Sequence, residues 1–198
     1  MSEKHINIVV EGALDELVMR QLLREVEGVS VQACFGKKGK QNLRERIGSY
    51  NRAAQYIPFI CLVDLDDEDC PVGLINRWLP EGFGENLVFR VAVRMVEAWL
   101  LADRENFARF MGVAISKIPA YPEQEENPKR TVVNIARQSP KRNIKQNIIP
   151  PPNSTSMVGK AYVDELAKYV VQSWNLDNAA SNSPSLQRAI RAIAKIGN

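Results

Sequence analysis

Ile6-Asn7-Ile8-Val9-Val10-Glu11-Gly12 and Phe59-Ile60-Cys61-Leu62-Val63-Asp64-Leu65-Asp66 decide the fold. Each is a short, strongly apolar run that ends on an acid. Such runs are too short for core helices and read as strands buried on both faces of a parallel sheet. Ligands of parallel sheets gather at the carboxyl ends of the strands, so Glu11, Asp64 and Asp66 are expected to converge there.

Working outward, helix and strand alternate. Residues 13–26 place Leu14, Leu17, Val18, Leu22 and Leu23 on one helical face, and residues 29–35 form a second strand. The loop Gly36-Lys37-Lys38-Gly39-Lys40 precedes a polar helix at 41–54. A strand follows at 58–64, then a short helix at 72–78 and a fourth strand at 86–93. This order predicts an α/β fold with a mostly parallel four-stranded sheet flanked by helices. Residues 95–111 read as two helices broken near Asp103. Proline-rich loops are expected at 116–130 and 150–156, among three helices at 130–138, 158–174 and 185–196, the last capped by Ser183 and Pro184. The expected organisation is an α/β domain over 1–112 and a helical, loop-rich extension over 113–198 packed on it.

The apolar content of 45% and charged content of 25% place the chain among ordinary globular proteins. No segment reads as a membrane span. Met1-Ser2-Glu3-Lys4 leads directly into a strand without an apolar signal region, so a cytoplasmic location is expected. Three cysteines cannot all pair, and Cys34 and Cys61 lie within apolar runs, as reduced thiols do. The net charge of +3 does not by itself identify a polyanionic partner, but its distribution is uneven. Residues 64–69 hold five acids in six positions, whereas 129–145 carry Lys129, Arg130, Arg137, Lys141, Arg142 and Lys145 with no acid. An acidic site beside a basic flank suits a polyanionic substrate, and a solvated surface with scattered charge is the alternative.

Mg²⁺ or Mn²⁺ takes hard oxygen ligands and is commonly held by a few carboxylates that also position a phosphate. Glu11, Asp64 and Asp66 supply such ligands, because residues i and i+2 of an extended segment point the same way. Asp15 is either a helix-dipole partner or a further metal-facing acid. Glu97, between Val96 and Ala98 in an apolar helix, needs a partner. It either joins the metal acids or pairs with Arg94 or another base. Lys37, Lys38 and Lys40 are candidates for substrate phosphates, or form a flexible turn. Lys129, Arg130, Lys141 and Arg142 are candidates for contacts to a nucleic-acid backbone. The Gly-Lys-Lys-Gly-Lys order is not a Walker loop. His5 is the only histidine, which leaves histidine-dependent nucleases, Ser-His-Asp hydrolases and His-rich zinc sites without their parts. Trp78, Trp99 and Trp174 are expected in the core.

The strand-Glu-Gly-helix opening, the strand-Asp-Leu-Asp segment and their alternating order resemble the TOPRIM fold of topoisomerases, bacterial primases and OLD-type nucleases over residues 4–95. Arg94-Met-Val-Glu-Ala-Trp-Leu-Leu-Ala-Asp103, with Ile118-Pro119, Pro128-Lys129-Arg130 and Ser183-Pro184-Ser185-Leu186, looks like the TOPRIM-like family called domain of unknown function 4276. The resemblance implies acid–base or metal work for Glu11 and divalent-metal binding for Asp64 and Asp66. OLD-type enzymes add acids for a second ion, a role open to Glu97. It further implies a nuclease on DNA or RNA serving prokaryotic anti-phage defence. A non-catalytic module acting with an ATPase partner is the alternative, and a homodimer is a further expectation. A phospho-acceptor receiver would need two acids after the first strand, where only Glu11 stands. Topoisomerase and primase activities would need further domains.

Overall fold

The computed structural model describes residues 3–197. Met1 and Ser2, which entered the expectation about export, and Asn198 lie outside the described residues. Two packing units are present, Met1–Val93 with Gln187–Asn198, and Arg94–Leu186.

The first unit is built from β1 (Lys4–Val10), α1 (Ala13–Arg24), β2 (Val29–Gly36), α2 (Lys40–Ala53), β3 (Phe59–Asp64), α3 (Pro71–Trp78) and β4 (Leu87–Ala92). The strand order is β2-β1-β3-β4 and every pair is parallel. This is the expected α/β arrangement, consistent with a TOPRIM or Rossmann-like fold. Alternation along the strands divides the core. Val9, Phe59, Cys61, Val63, Phe89 and Val91 pack with Leu43 and Ile47 of α2 and Leu74 and Trp78 of α3. Ile8, Val10, Ile60 and Leu62 point the other way and are fully buried, as are Val18 and Met19 of α1, which packs against β1, β2 and β3. Each such side chain contributes about 1.5–3 kcal/mol by leaving water. A bulge in β2 sets Ile6 opposite Val31 and Asn7 opposite Ala33.

The second unit contains α4 (Val96–Ala102), α5 (Arg104–Met111), two 3-10 turns (Ile115–Lys117, Pro122–Gln124), α6 (Pro128–Gln138), α7 (Arg142–Ile148), α8 (Tyr162–Gln172) and α9 (Leu176–Asn182). The break at Asp103 is as expected, because its buried carboxylate is taken by Asn106 Nδ2 (3.0 Å), Tyr169 Oη (3.1 Å) and the Asn175 amide (2.8 Å). All of α4 is buried, and α6 and α9 pack on it. Helices α4 and α5 fall in the second of these packing units with the later helices.

Two helices beyond the three expected are α7 and α9. The first buries only Ile144 and Ile148, and its Asn143 and Asn147 donate to the buried Glu165 of α8. Asn175 caps the second through the Asn178 amide (2.9 Å). The last helix, α10 (Pro184–Gly197), starts as expected, with Ser183 Oγ accepting from the Leu186 amide (3.2 Å). Among the described residues no helix is long and apolar enough to cross a membrane. The three tryptophans are buried.

Candidate functional site

In the order β2-β1-β3-β4 the chain leaves β1 in one direction to reach β2, and β3 and β4 lie on the other side. The ends of β1 and β3 therefore flank the switch point of the sheet, where α/β folds bind ligands. Val10 pairs with Leu62, so Glu11 and Asp64 leave neighbouring strands at this point. Glu11 Oε1 accepts a hydrogen bond from the Asp64 amide at 2.9 Å.

The lysine loop is anchored over the end of β1. The Lys37 amide donates to Val10 O (2.9 Å) and the Gly39 amide to Glu11 O (3.0 Å). Gly36 has φ +86°, and a Cβ there would fall 2.2 Å from Val10 O, so only glycine fits. Two backbone hydrogen bonds thus tie the loop to the end of β1. The loop delivers Lys40, whose Nζ donates to Asp66 Oδ2 (2.7 Å), Asp64 O (2.7 Å) and Leu65 O (3.2 Å). Lys37 pairs with Glu16 at 2.9 Å, and Lys38 is exposed.

The Asp-X-Asp geometry differs from the extended segment expected. The strand ends at Asp64, and Asp66 sits in a left-handed turn with φ +53°. Aspartate tolerates this conformation better than most residues. Leu65, between the two acids, is buried. Lys40 joins the Asp66 carboxylate to the main-chain carbonyl of Asp64.

Burial, the largest influence, pushes the Glu11 carboxyl up to about 7 from an ordinary value of 4.5, with Asp15 and Asp66 adding to the rise. The Asp64 amide and Lys40 oppose it without cancelling it. Glu11 is therefore placed to exchange a proton near neutral pH. Asp15 is buried and accepts from the Gly12 amide at 2.7 Å, closing the first turn of α1. This bond fits the helix-start reading.

The remaining candidates belong to the second unit. Glu97 is buried, with Oε1 accepting from Tyr162 Oη (3.1 Å) and forming an ion pair with Lys129 Nζ at 3.7 Å, while Oε2 has no hydrogen-bond partner. The base beside it is Lys129. Lys141 Nζ donates to the carbonyls of Arg109 (3.0 Å) and Phe110 (2.8 Å) at the end of α5, and Arg130 and Arg142 are exposed. Among the described residues, no three or more His, Cys, Asp or Glu side chains are grouped to hold a metal ion. Sequence reasoning missed Lys40 as the cation of the acid group and Tyr162 as the partner of Glu97. Sequence spacing brings neither pair together; only the folded chain does.

No protein-family model matches the chain, and no curated protein matches it. A solved structure, the C-terminal region of the Burkholderia pseudomallei OLD protein, is similar to it with a TM-score of 0.50 at 12% sequence identity, covering 98% of each chain. At that identity the likeness is one of fold.

Proposed function

We propose that the chain is a divalent-metal-dependent phosphodiesterase, an endonuclease on DNA or RNA that uses Mg²⁺ or Mn²⁺. The observation that carries this reading is the acid group at the switch point, which already grips a cation, the Lys40 ammonium, through a carboxylate and two carbonyl oxygens. These are the hard oxygen donors that Mg²⁺ and Mn²⁺ prefer, so the residues fit such an ion. Mg²⁺ keeps several waters and needs only one or two carboxylates, so a closed cage of three is not required. Glu11, Asp64 and Asp66 would hold it, with Asp15 as a further acid and Glu97 assigned to a second ion. The bound ion supplies Lewis-acid polarisation of the phosphate. Glu11, where it does not itself ligate the ion, would accept the proton of the attacking water. Lys37 and Lys38 meet substrate phosphates from the anchored loop, and Lys129, Arg130, Lys141 and Arg142 contact the backbone. A role in prokaryotic defence against phage belongs to this reading and rests on the family resemblance.

Lys40 also favours a second reading. A lysine that neutralises Asp66 is what a TOPRIM-like module without catalysis, working with an ATPase partner, would retain. Cleavage assays on plasmid, single-stranded DNA and transfer RNA with Mg²⁺ or Mn²⁺ separate the two, using Asp64→Asn and Asp66→Asn. Cutting that both substitutions abolish is the result expected of a nuclease. No cutting, together with no calorimetric ion binding that depends on these acids, would establish the non-catalytic reading.

A further inference from the structure

The amino ends of the strands carry a second charged feature, of opposite sign. A cavity of about 530 Å³ is lined by Lys4 at the start of β1, Arg90 of β4, and Arg188, Arg191 and Lys195 of α10. It lies wholly within the first unit. The seven residues of β1, at ~3.3 Å each, put it ~20 Å from the acid group. The three α10 cations follow a spacing of three and four residues, which puts them on one helical face. Lys4 Nζ donates to Ile196 O at 2.9 Å and ties the end of α10 to β1, fixing that face over the sheet.

Five cations meet only one acid, Glu85, in this lining. Among the described residues, no acid pairs with Arg90, Arg188, Arg191 or Lys195. Arg90 is half-buried, and its Nε is fully buried without a hydrogen-bond partner. Burial and then the nearby Arg188 both push its pKa down, the mark of cations crowded without a counter-charge. An unpaired buried donor and a like-charged neighbour are both unfavourable, and a bound anion would relieve both. Guanidinium groups match phosphate oxygens in two-pronged fashion. Between and beside the cations the lining carries the apolar Pro58, Val88 and Ala192 and the half-exposed ring of Phe83. The volume is that of a small-ligand pocket.

We propose that this cavity binds a nucleoside phosphate, with the phosphate on Arg90, Arg188 and Arg191 and the base against Phe83. The ligand is either a free nucleotide or one unit of a nucleic-acid strand, which share this chemistry. The site is separate from the acid group and does not depend on metal.

The test is binding in EDTA, with calorimetry for ATP and for adenosine, and fluorescence anisotropy for a short labelled single-stranded DNA. The intact protein is compared with the Arg188→Ser/Arg191→Ser double variant and with Asp64→Asn. Both arginines are exposed on α10, so the double variant keeps the fold, which circular dichroism verifies. Arg90→Leu is the second variant. ATP or the DNA, but not adenosine, is expected to bind. The double variant should weaken binding by at least about tenfold, the loss of one or two charge-assisted contacts, and Asp64→Asn should leave it unchanged. Binding of ATP alone identifies a free nucleotide as the ligand, and DNA binding that the double variant weakens identifies a strand. No binding, equal binding of adenosine, or affinity untouched by the double variant would overturn the proposal. None of these outcomes depends on whether the acids cut nucleic acid.

Discussion

Lys40 Nζ lies 2.7 Å from Asp66 Oδ2, and the same ammonium is bonded to the carbonyl oxygens of Asp64 and Leu65. All three donors of the lysine are thereby used. The bonds connect the start of α2 to the turn after β3 and hold Asp66 in its left-handed conformation.

Replacing that ammonium with an isosteric apolar chain separates its two effects. Lys40→Met should lower stability by about 1–2 kcal/mol through the lost charge-assisted bonds. It should also tighten Mn²⁺ binding several-fold, because the acids lose their resident cation. Chemical denaturation and calorimetric Mn²⁺ titration measure the two quantities. Weaker Mn²⁺ binding in a folded variant would show that Lys40 supports the ion rather than competing with it.

Glu11 gives a pH dependence of defined sign. Its folded pKa of about 7 stands above the ordinary 4.5. Between those values the unfolded chain releases a proton that the folded chain keeps, so stability falls as pH rises through the window and is level above it. Glu11→Gln retains an acceptor for the Asp64 amide and has no charge to bury. Its unfolding free energy, measured by urea denaturation without divalent ions, should match the parent's near pH 4 and exceed it at pH 8 by about 3 kcal/mol. A difference that does not change with pH would place the Glu11 pKa in the ordinary range.

The two glycines that bracket Lys37 and Lys38 should respond differently to alanine. At Gly36 a methyl group would meet Val10 O at 2.2 Å on top of a positive φ, whereas at Gly39 (φ +82°) nothing lies within 4 Å. Gly39→Ala should therefore cost only the conformational strain of its glycine-favouring backbone (φ 82°, ψ 169°), about 1–3 kcal/mol. Gly36→Ala should cost more, about 3 kcal/mol or above, because backbone must move. Urea denaturation of both variants decides the order, and equal losses would mean that the loop shifts freely at Gly36.

The sheet and its acids were legible because β3 is an unbroken apolar run up to its acid, β1 is interrupted only at Asn7 on the way to Glu11, and α1 between the first two strands shows a clean stripe. Periodicity does not report what a turn does after a strand ends, so the left-handed Asp66 and its lysine emerged only from the fold. Residues 142–148 and 176–182 hid two helices because each spans only seven residues, too few to show a helical period, and carries two asparagines. Their helical state is set by Glu165, Asn175 and packing rather than by local preference. The basic face of α10 was readable as the spacing Arg188, Arg191, Lys195, but its meaning depends on Arg90, far away in sequence.

Glu97 can be tested for a structural contribution independently of any ion. Its carboxylate is buried with Tyr162 and Lys129 as neighbours and one oxygen unbonded, so removing one partner leaves a poorly solvated charge. Tyr162→Phe should destabilise by about 1–3 kcal/mol. Glu97→Leu removes the charge with its demand for partners and should cost less than that. In the double variant the phenylalanine faces no carboxylate, so the two losses should not add, leaving a coupling of about 1 kcal/mol or more. A thermodynamic cycle in EDTA measures this. Strict additivity would mean that the Tyr162 hydroxyl does not stabilise Glu97, whose burial would then have to be explained by another partner.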